Sequence, residues 1–138
     1  MDATTQERLG ALFGAAGFER ALPGMEMVSA GGGACTVRLP VSPQVANING
    51  TLHGGAIATL VDLVGTLAII TGDRQARAGV TTDLNVSYFA PGRGGESVLA
   101  RASVLKGGKT LAFVTVDVVR ESDGTLCAQG RMTKFMGT

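Results

Sequence analysis

Hydrophobic and polar positions follow two rhythms along this chain. Over residues 4–16 the apolar positions Leu9, Leu12 and Phe13 recur at helical spacing, with Thr4 or Thr5 available as a cap, which predicts a short amphipathic helix. The stretches "MEMVSA" and "ACTVRLPV", separated by "GGG" at 31–33, predict a β-hairpin. In its second arm Cys35, Val37 and Leu39 alternate with Thr36 and Arg38, so one face is buried. The run from Gly55 to Ile70 is apolar almost without break. Its length of about 16 residues decides for helix over strand. Because it is apolar nearly all round, it belongs on the inside. A polar connection, "TGDRQARAG" at 71–79, follows.

Four strand candidates then succeed one another without a helix: Val80–Ala90, Ser97–Lys106, Thr110–Arg120 and Thr125–Phe135. The turns between them, "PGRGGE", "GGK" and "ESDG", are short and imply antiparallel neighbours in a four-strand meander. About six strands are thus available to cover one all-apolar helix. The economical arrangement is α+β, with a curved antiparallel sheet wrapped around that helix. No repeat or linker divides the chain, so residues 1–138 are expected to form a single domain.

Composition narrows the function classes. The formal net charge is +1, which gives no global reason to expect nucleic acid. Residues 91–138 hold seven Lys/Arg against four Asp/Glu, a mild basic excess that suits a phosphorylated small molecule as well as solvated strand faces. Cys35 and Cys127 both fall in apolar alternating stretches and read as buried free thiols of a reducing compartment. No Cys/His cluster suggests a metal. The acidic start "MDATTQERLG" lacks a signal pattern. The apolar run 56–70 reads as too short for a membrane span and contains Asp62. A soluble, cytoplasmic protein is expected.

The chemistry concentrates in "NINGTLHGGAIATLVDLVGTLAII", residues 47–70. The chain's one histidine, His53, stands at the helix start, followed by Gly54 and Gly55. A helix N-terminus offers unpaired N–H groups and a partial positive charge, and glycines let a ligand approach that backbone closely. Such donors make an oxyanion hole for acyl transfer, with the Gly54 N–H the obvious donor and His53 and Asn47 able to orient it or the carbonyl. Asp62 is a lone acid in the apolar run. Burying an unpaired carboxylate is costly and in general raises its pKa, and a raised pKa suits a general base near neutral pH. Its neighbours one turn away, Ala58, Thr59, Gly65 and Thr66, are small, leaving a shallow stripe open to a substrate or another chain. Nine residues separate His53 from Asp62. That places them on opposite sides of a helix with a rise of about 13.5 Å. They should not share a site within one chain, whereas two antiparallel helices in a dimer can bring Asp62 of one copy to Asn47 and Gly54 of the other.

The pattern Asn47-x-x-Gly50-x-x-His53-Gly54-Gly55 with Asp62 following resembles the hotdog-fold acyl-CoA thioesterases of the phenylacetate-pathway (PaaI-like) type. The stretches "VTTDLNVSYFAPGR", "GKTLAFVTVDV" and "AQGRMTKFMG" extend the resemblance over nearly the whole chain. It implies thioester hydrolysis, with Asp62 as general base or nucleophile, the Gly54 N–H as oxyanion donor aided by Asn47, and His53 structural or polarising. The family usually has a water-orienting Ser where this chain has Thr81, which keeps the hydroxyl and adds a methyl. Asp83 is a rival acid, disfavoured because strand alternation can turn it outward, and Asn49 competes with Asn47. The family's contacts with coenzyme A map onto Tyr88, Phe89, Ala90, Pro91, Gly92 and Arg93, and onto the turn Lys106, Gly107, Gly108, Lys109 and Thr110. Arg93, Lys106 and Lys109 can meet phosphates. A mammalian member has a His where this chain has Phe135. The resemblance further implies a homodimer that shares its active sites, paired into a homotetramer. No cofactor or metal is implied, and CoA arrives as part of the substrate. Two other readings stay open: a hotdog hydratase or dehydratase, and a non-catalytic acyl-CoA binder.

Overall fold

A carboxylate, not a threonine, starts the first helix. In the computed structural model, which describes residues 1–13 and 17–137, the Thr5 N–H donates to Asp2 Oδ1 at 2.8 Å. This satisfies one of the donors a helix start leaves open. Helix α1 spans Ala3–Phe13. Leu9 is buried, and Leu12 and Phe13 pack against the core. The expected end of this helix, residues 14–16, lies outside the described residues.

The predicted hairpin forms from β1 (Glu26–Gly31) and β2 (Ala34–Pro40). Its turn uses Gly32 at φ +58° and Gly33 at φ +86°, left-handed conformations that explain the glycine run. The apolar run becomes α2, Gly54–Gly72, slightly longer at both ends than its hydrophobicity suggests. Four strands follow: β3 (Val80–Tyr88), β4 (Ser97–Gly107), β5 (Leu111–Arg120) and β6 (Leu126–Phe135).

All strands join one antiparallel sheet in the order β1-β2-β4-β5-β6-β3. The expected four-strand meander is therefore only three strands long. β3 pairs with β6 rather than with β4. The Gly/Pro-rich segment between β3 and β4 is a crossover, not a hairpin turn. It runs across the ends of β6 and β5, where the Phe89 N–H donates to Cys127 O at 2.8 Å and Arg120 Nε donates to Pro91 O at 2.9 Å. Local composition marks a break in the strands; which strand the chain rejoins is decided by tertiary packing.

Helix α2 lies on one face of the curved sheet. Leu60, Val61, Val64 and Leu67 are fully buried there against Val37, Leu39, Val114 and Val116. Gly130 of β6 permits the close approach: a Cβ at that position would sit 2.5 Å from Val61 Cγ1. At 19 residues α2 is, by length and composition, long enough to cross a membrane, contrary to the sequence reading. Its buried side is the core of the sheet. Cys35 and Cys127 are buried free thiols. Burial pushes the Cys35 thiol up to about 11 and raises Cys127 as well.

Candidate active site

The start of α2 is built by side chains of the loop before it. Asn47 Oδ1 accepts from the N–H groups of Asn49 and Thr51 at 3.0 and 3.1 Å, and its Nδ2 donates to Thr51 Oγ1 at 2.8 Å. The amide thus closes the 47–51 turn and keeps one Nδ2 hydrogen in reserve. Asn49 contributes its backbone N–H to that turn. His53 is the N-cap: its Nδ1 accepts from the Gly55 N–H at 2.8 Å. In the neutral ring the proton therefore sits on Nε2, facing away from the backbone. The Gly54 N–H, at the first helical position, has no acceptor among the described residues. Tyr88 closes over this turn, its hydroxyl donating to Gly54 O at 2.8 Å.

Asp62 lies further along α2, half-buried. Gly55, Ala58, Thr59 and Asp62 are partly or fully open and spaced as one helical face, with Gly54 and Ala56 also partly open at the helix start. The stripe of small residues thus exists on the N-terminal side of Asp62. On the C-terminal side, Gly65 and Thr66 are buried, and a Cβ on Gly65 would meet Met132 at 2.7 Å. The carboxylate is not unpartnered. Thr81 Oγ1 donates to Asp62 Oδ1 at 2.8 Å, so the strand after the polar connection does place its hydroxyl on this acid. Asp83 lies past a β-bulge between Thr81 and Asp83 and is exposed, away from Asp62.

The two segments assigned to coenzyme A are far apart in one chain. Tyr88, Phe89, Ala90, Pro91, Gly92 and Arg93 sit beside the start of α2, where the Leu52 N–H donates to Gly92 O and Thr51 bridges Arg93. Lys106 to Thr110 form the β4–β5 turn at the other end of α2. There Gly107, Gly108 and Lys109 line a cavity of about 490 Å³ together with Arg74, Arg77 and Met136. Gly108 is required in that turn, because a Cβ would sit 2.5 Å from Leu111 O. Arg77 anchors the cavity wall. It pairs with Asp73 at 2.8 Å and donates to Lys109 O at 3.1 Å and Met136 O at 2.9 Å. The Arg77 hydrogen bond holds the Asp73 carboxyl below its ordinary value, and Asp73 raises Arg77 in turn. Phe135 is partly exposed at the end of β6, opposite Val80.

One chain therefore unites Asp62 with Thr81 and gathers Asn47, His53, Gly54 and Tyr88 elsewhere. Eight residues of helix separate Gly54 from Asp62, a rise of about 12 Å. Sequence reasoning missed Lys134, which is 5% exposed and donates from Nζ to Thr66 Oγ1 at 2.7 Å. Strand alternation carried the signal: Ala128, Gly130, Met132 and Lys134 share the inward row of β6. It also missed the buried Arg120, which braces the crossover. Among the described residues no three His, Cys, Asp or Glu side chains are grouped to hold a metal ion.

A six-stranded antiparallel sheet with one long helix on its face, a capped glycine helix start and a mid-helix acid define a hotdog-type thioesterase architecture. Residues 49–127 match the thioesterase superfamily, and the chain belongs to that family. The human protein acyl-coenzyme A thioesterase 13 is 42% identical over 137 residues, 99% of this chain and 97% of its own length. The structure of zebrafish thioesterase superfamily member 2 superposes with a TM-score of 0.88 at 42% identity, covering 97% of this chain and 96% of that one. A Streptococcus mutans protein, solved bound to acetyl-CoA, aligns at 27% identity and a TM-score of 0.76 over 82% of this chain and 88% of its own.

Proposed function

We propose that the protein hydrolyses acyl-CoA thioesters to the free acid and CoA, in an active site assembled from two copies of the chain. The carrying observation is the separation of two half-sites along one helix. The Gly54 N–H has no acceptor among the described residues, and Asp62, held by Thr81, lies about 12 Å further on. Neither half can work on a carbonyl held by the other within one chain. A twofold axis setting two α2 helices antiparallel places Gly54 of one copy against Asp62 of the other. Two features favour such a partner. β3 is an edge strand with one side unpaired. Large apolar side chains are exposed along it and at the helix start, among them Val80, Tyr88, Phe89 and Ile48.

In this arrangement the Gly54 N–H, at the positive end of α2, stabilises the oxygen that gains charge as the thioester carbonyl becomes tetrahedral. Asp62 takes a proton from water while the hydroxyl adds to the carbonyl carbon, or its own oxygen adds there first to form an anhydride that water then opens. The C–S bond breaks, and the CoA thiolate leaves and is protonated. Thr81 holds one carboxylate oxygen and leaves the other for the reaction. His53 keeps the helix start closed, and the spare Nδ2 hydrogen of Asn47 is available to the carbonyl. The same axis brings the Tyr88–Arg93 segment of one copy near the Lys106–Thr110 turn of its partner, where Arg93, Lys106 and Lys109 meet the CoA phosphates. The acetyl-CoA bound by the Streptococcus mutans structure and the name of the human relative support the substrate class. Pairing of dimers into a tetramer, a single domain over residues 1–138 and a cytoplasmic location complete the reading.

The test is release of free CoA from a panel of aryl- and fatty-acyl-CoA thioesters by wild type and Asp62→Asn. Hydrolysis that falls at least a hundredfold in the variant supports the reading. No release by either protein from any thioester it binds saturably would overturn it.

A further inference from the structure

Lys134 is the chain's one buried lysine among the described residues, and burial of an ammonium is costly. It makes no direct ion pair among the described residues. Its Nζ donates to Thr66 Oγ1 at 2.7 Å, and that hydroxyl spends its own proton on Asp62 O at 2.7 Å, one turn back along α2. The β3–β6 register sets Lys134 directly opposite Thr81, whose hydroxyl holds Asp62 Oδ1. Asp62 is thus gripped at its backbone by Lys134 through Thr66, and at its carboxylate by the residue beside Lys134.

We propose that Lys134 is a positioning residue for Asp62: its buried ammonium, moored on Thr66, keeps the carboxylate aimed at the open face of α2. The inference rests on Asp62 being the reactive acid. Electrostatics runs the same way. Burial lowers the Lys134 ammonium, and the charge of Asp62 opposes that loss. Asp62 makes no ion pair among the described residues. On α2 its neighbours Ala58, Thr59, Gly65 and Thr66 are uncharged. From β3 comes the neutral Thr81, with Asp83 exposed beyond the bulge. From β6 come Met132 and Lys134.

Two variants and two readouts test this. Lys134→Met keeps most of the length of the side chain and removes the charge; Thr66→Val removes the mooring and keeps the charge. Thermal unfolding confirms that each variant folds. In Lys134→Met, kcat should fall at least tenfold with KM for the acyl-CoA changed less than threefold, and the acidic limb of kcat/KM should move to higher pH, because a nearby positive charge is lost. Thr66→Val should lower kcat by a smaller factor and leave the limb near its wild-type place. The carboxyl carbon of Asp62, assigned by its loss in Asp62→Asn, should titrate higher in Lys134→Met by the same amount. That carbon signal needs no turnover, so it decides the role of Lys134 even in the event that the thioesterase reading fails. Unchanged titration of Asp62 in a folded Lys134→Met would overturn the proposal, as would a loss of kcat with the acidic limb unmoved. If Lys134→Met does not fold, a Thr66→Val protein with wild-type kcat overturns it instead.

Discussion

Thr81 Oγ1 donates to Asp62 Oδ1 at 2.8 Å, a bond between residues nineteen positions apart that ties the first strand after the helix to the one acid inside the helix. Thr81 Oγ1 also lies 3.6 Å from the sulfur of Met132, so the hydroxyl sits between that side chain and the carboxylate. The hydroxyl has one hydrogen, committed to one carboxylate oxygen, and the other oxygen of Asp62 has no hydrogen-bond partner among the described residues.

Thr81→Val keeps the shape of that residue and deletes the donor. A hydrogen bond to a charged group is worth about 1.5–3 kcal/mol, so kcat should fall by roughly ten- to a hundredfold. Thr81→Ser should retain activity within a few-fold. Steady-state CoA release measures both, and a Val variant as active as wild type would remove Thr81 from the site.

Gly54 occupies the first helical position, where proline is tolerated because its missing N–H would have no intrahelical partner. His53 before it is already extended, at φ −63° and ψ 137°, as a residue preceding proline requires. Gly54→Pro should therefore fold and keep the helix while losing the N–H that the proposed mechanism uses as oxyanion donor. Removing one such donor costs about 10²–10³ in kcat. Circular dichroism reads the helix and CoA release reads the loss.

Asp73 caps the C-terminal end of α2 and pairs with Arg77, which holds its carboxyl below its ordinary value of 3.8. A depressed folded-state value means that the unfolded chain binds protons more tightly as the solution is acidified. The contribution of this pair is present above 3.8 and is lost as the pH falls through the folded value. Asp73→Asn should lower the unfolding midpoint by a few degrees at pH 7 and converge on wild type in strong acid. Thermal scans along a pH series check this, and parallel curves at all pH values would contradict it.

The legible parts of this protein were those that periodicity controls. The all-apolar run could only be a buried helix, and alternation in "ACTVRLPV" named the inward face of β2. Likeness of motif then pointed to Asp62, Thr81 and the Gly54 turn, which the structure places on two separated parts of the chain. The position of β3 was not legible, because a Pro/Gly-rich crossover and a Pro/Gly-rich hairpin have the same local composition. The Asp2 cap was missed since a side chain outside the apolar pattern does the work. Lys134 was readable in principle: its place in the inward row of β6 was visible, but a lysine is by habit assigned to solvent.

The central claim, a site made from Gly54 of one copy and Asp62 of another, is tested most directly by mixing two inactive variants. Asp62→Asn and Gly54→Pro chains, unfolded and refolded together in equal amounts, give dimers of which half are mixed. Each mixed dimer holds one site with both native residues and one with neither. The account predicts recovery of about a quarter of wild-type CoA release, from an isologous interface that pairs each residue with its partner's complement. Activity no higher than that of the two variants measured alone would contradict it, placing both residues in the site of a single chain.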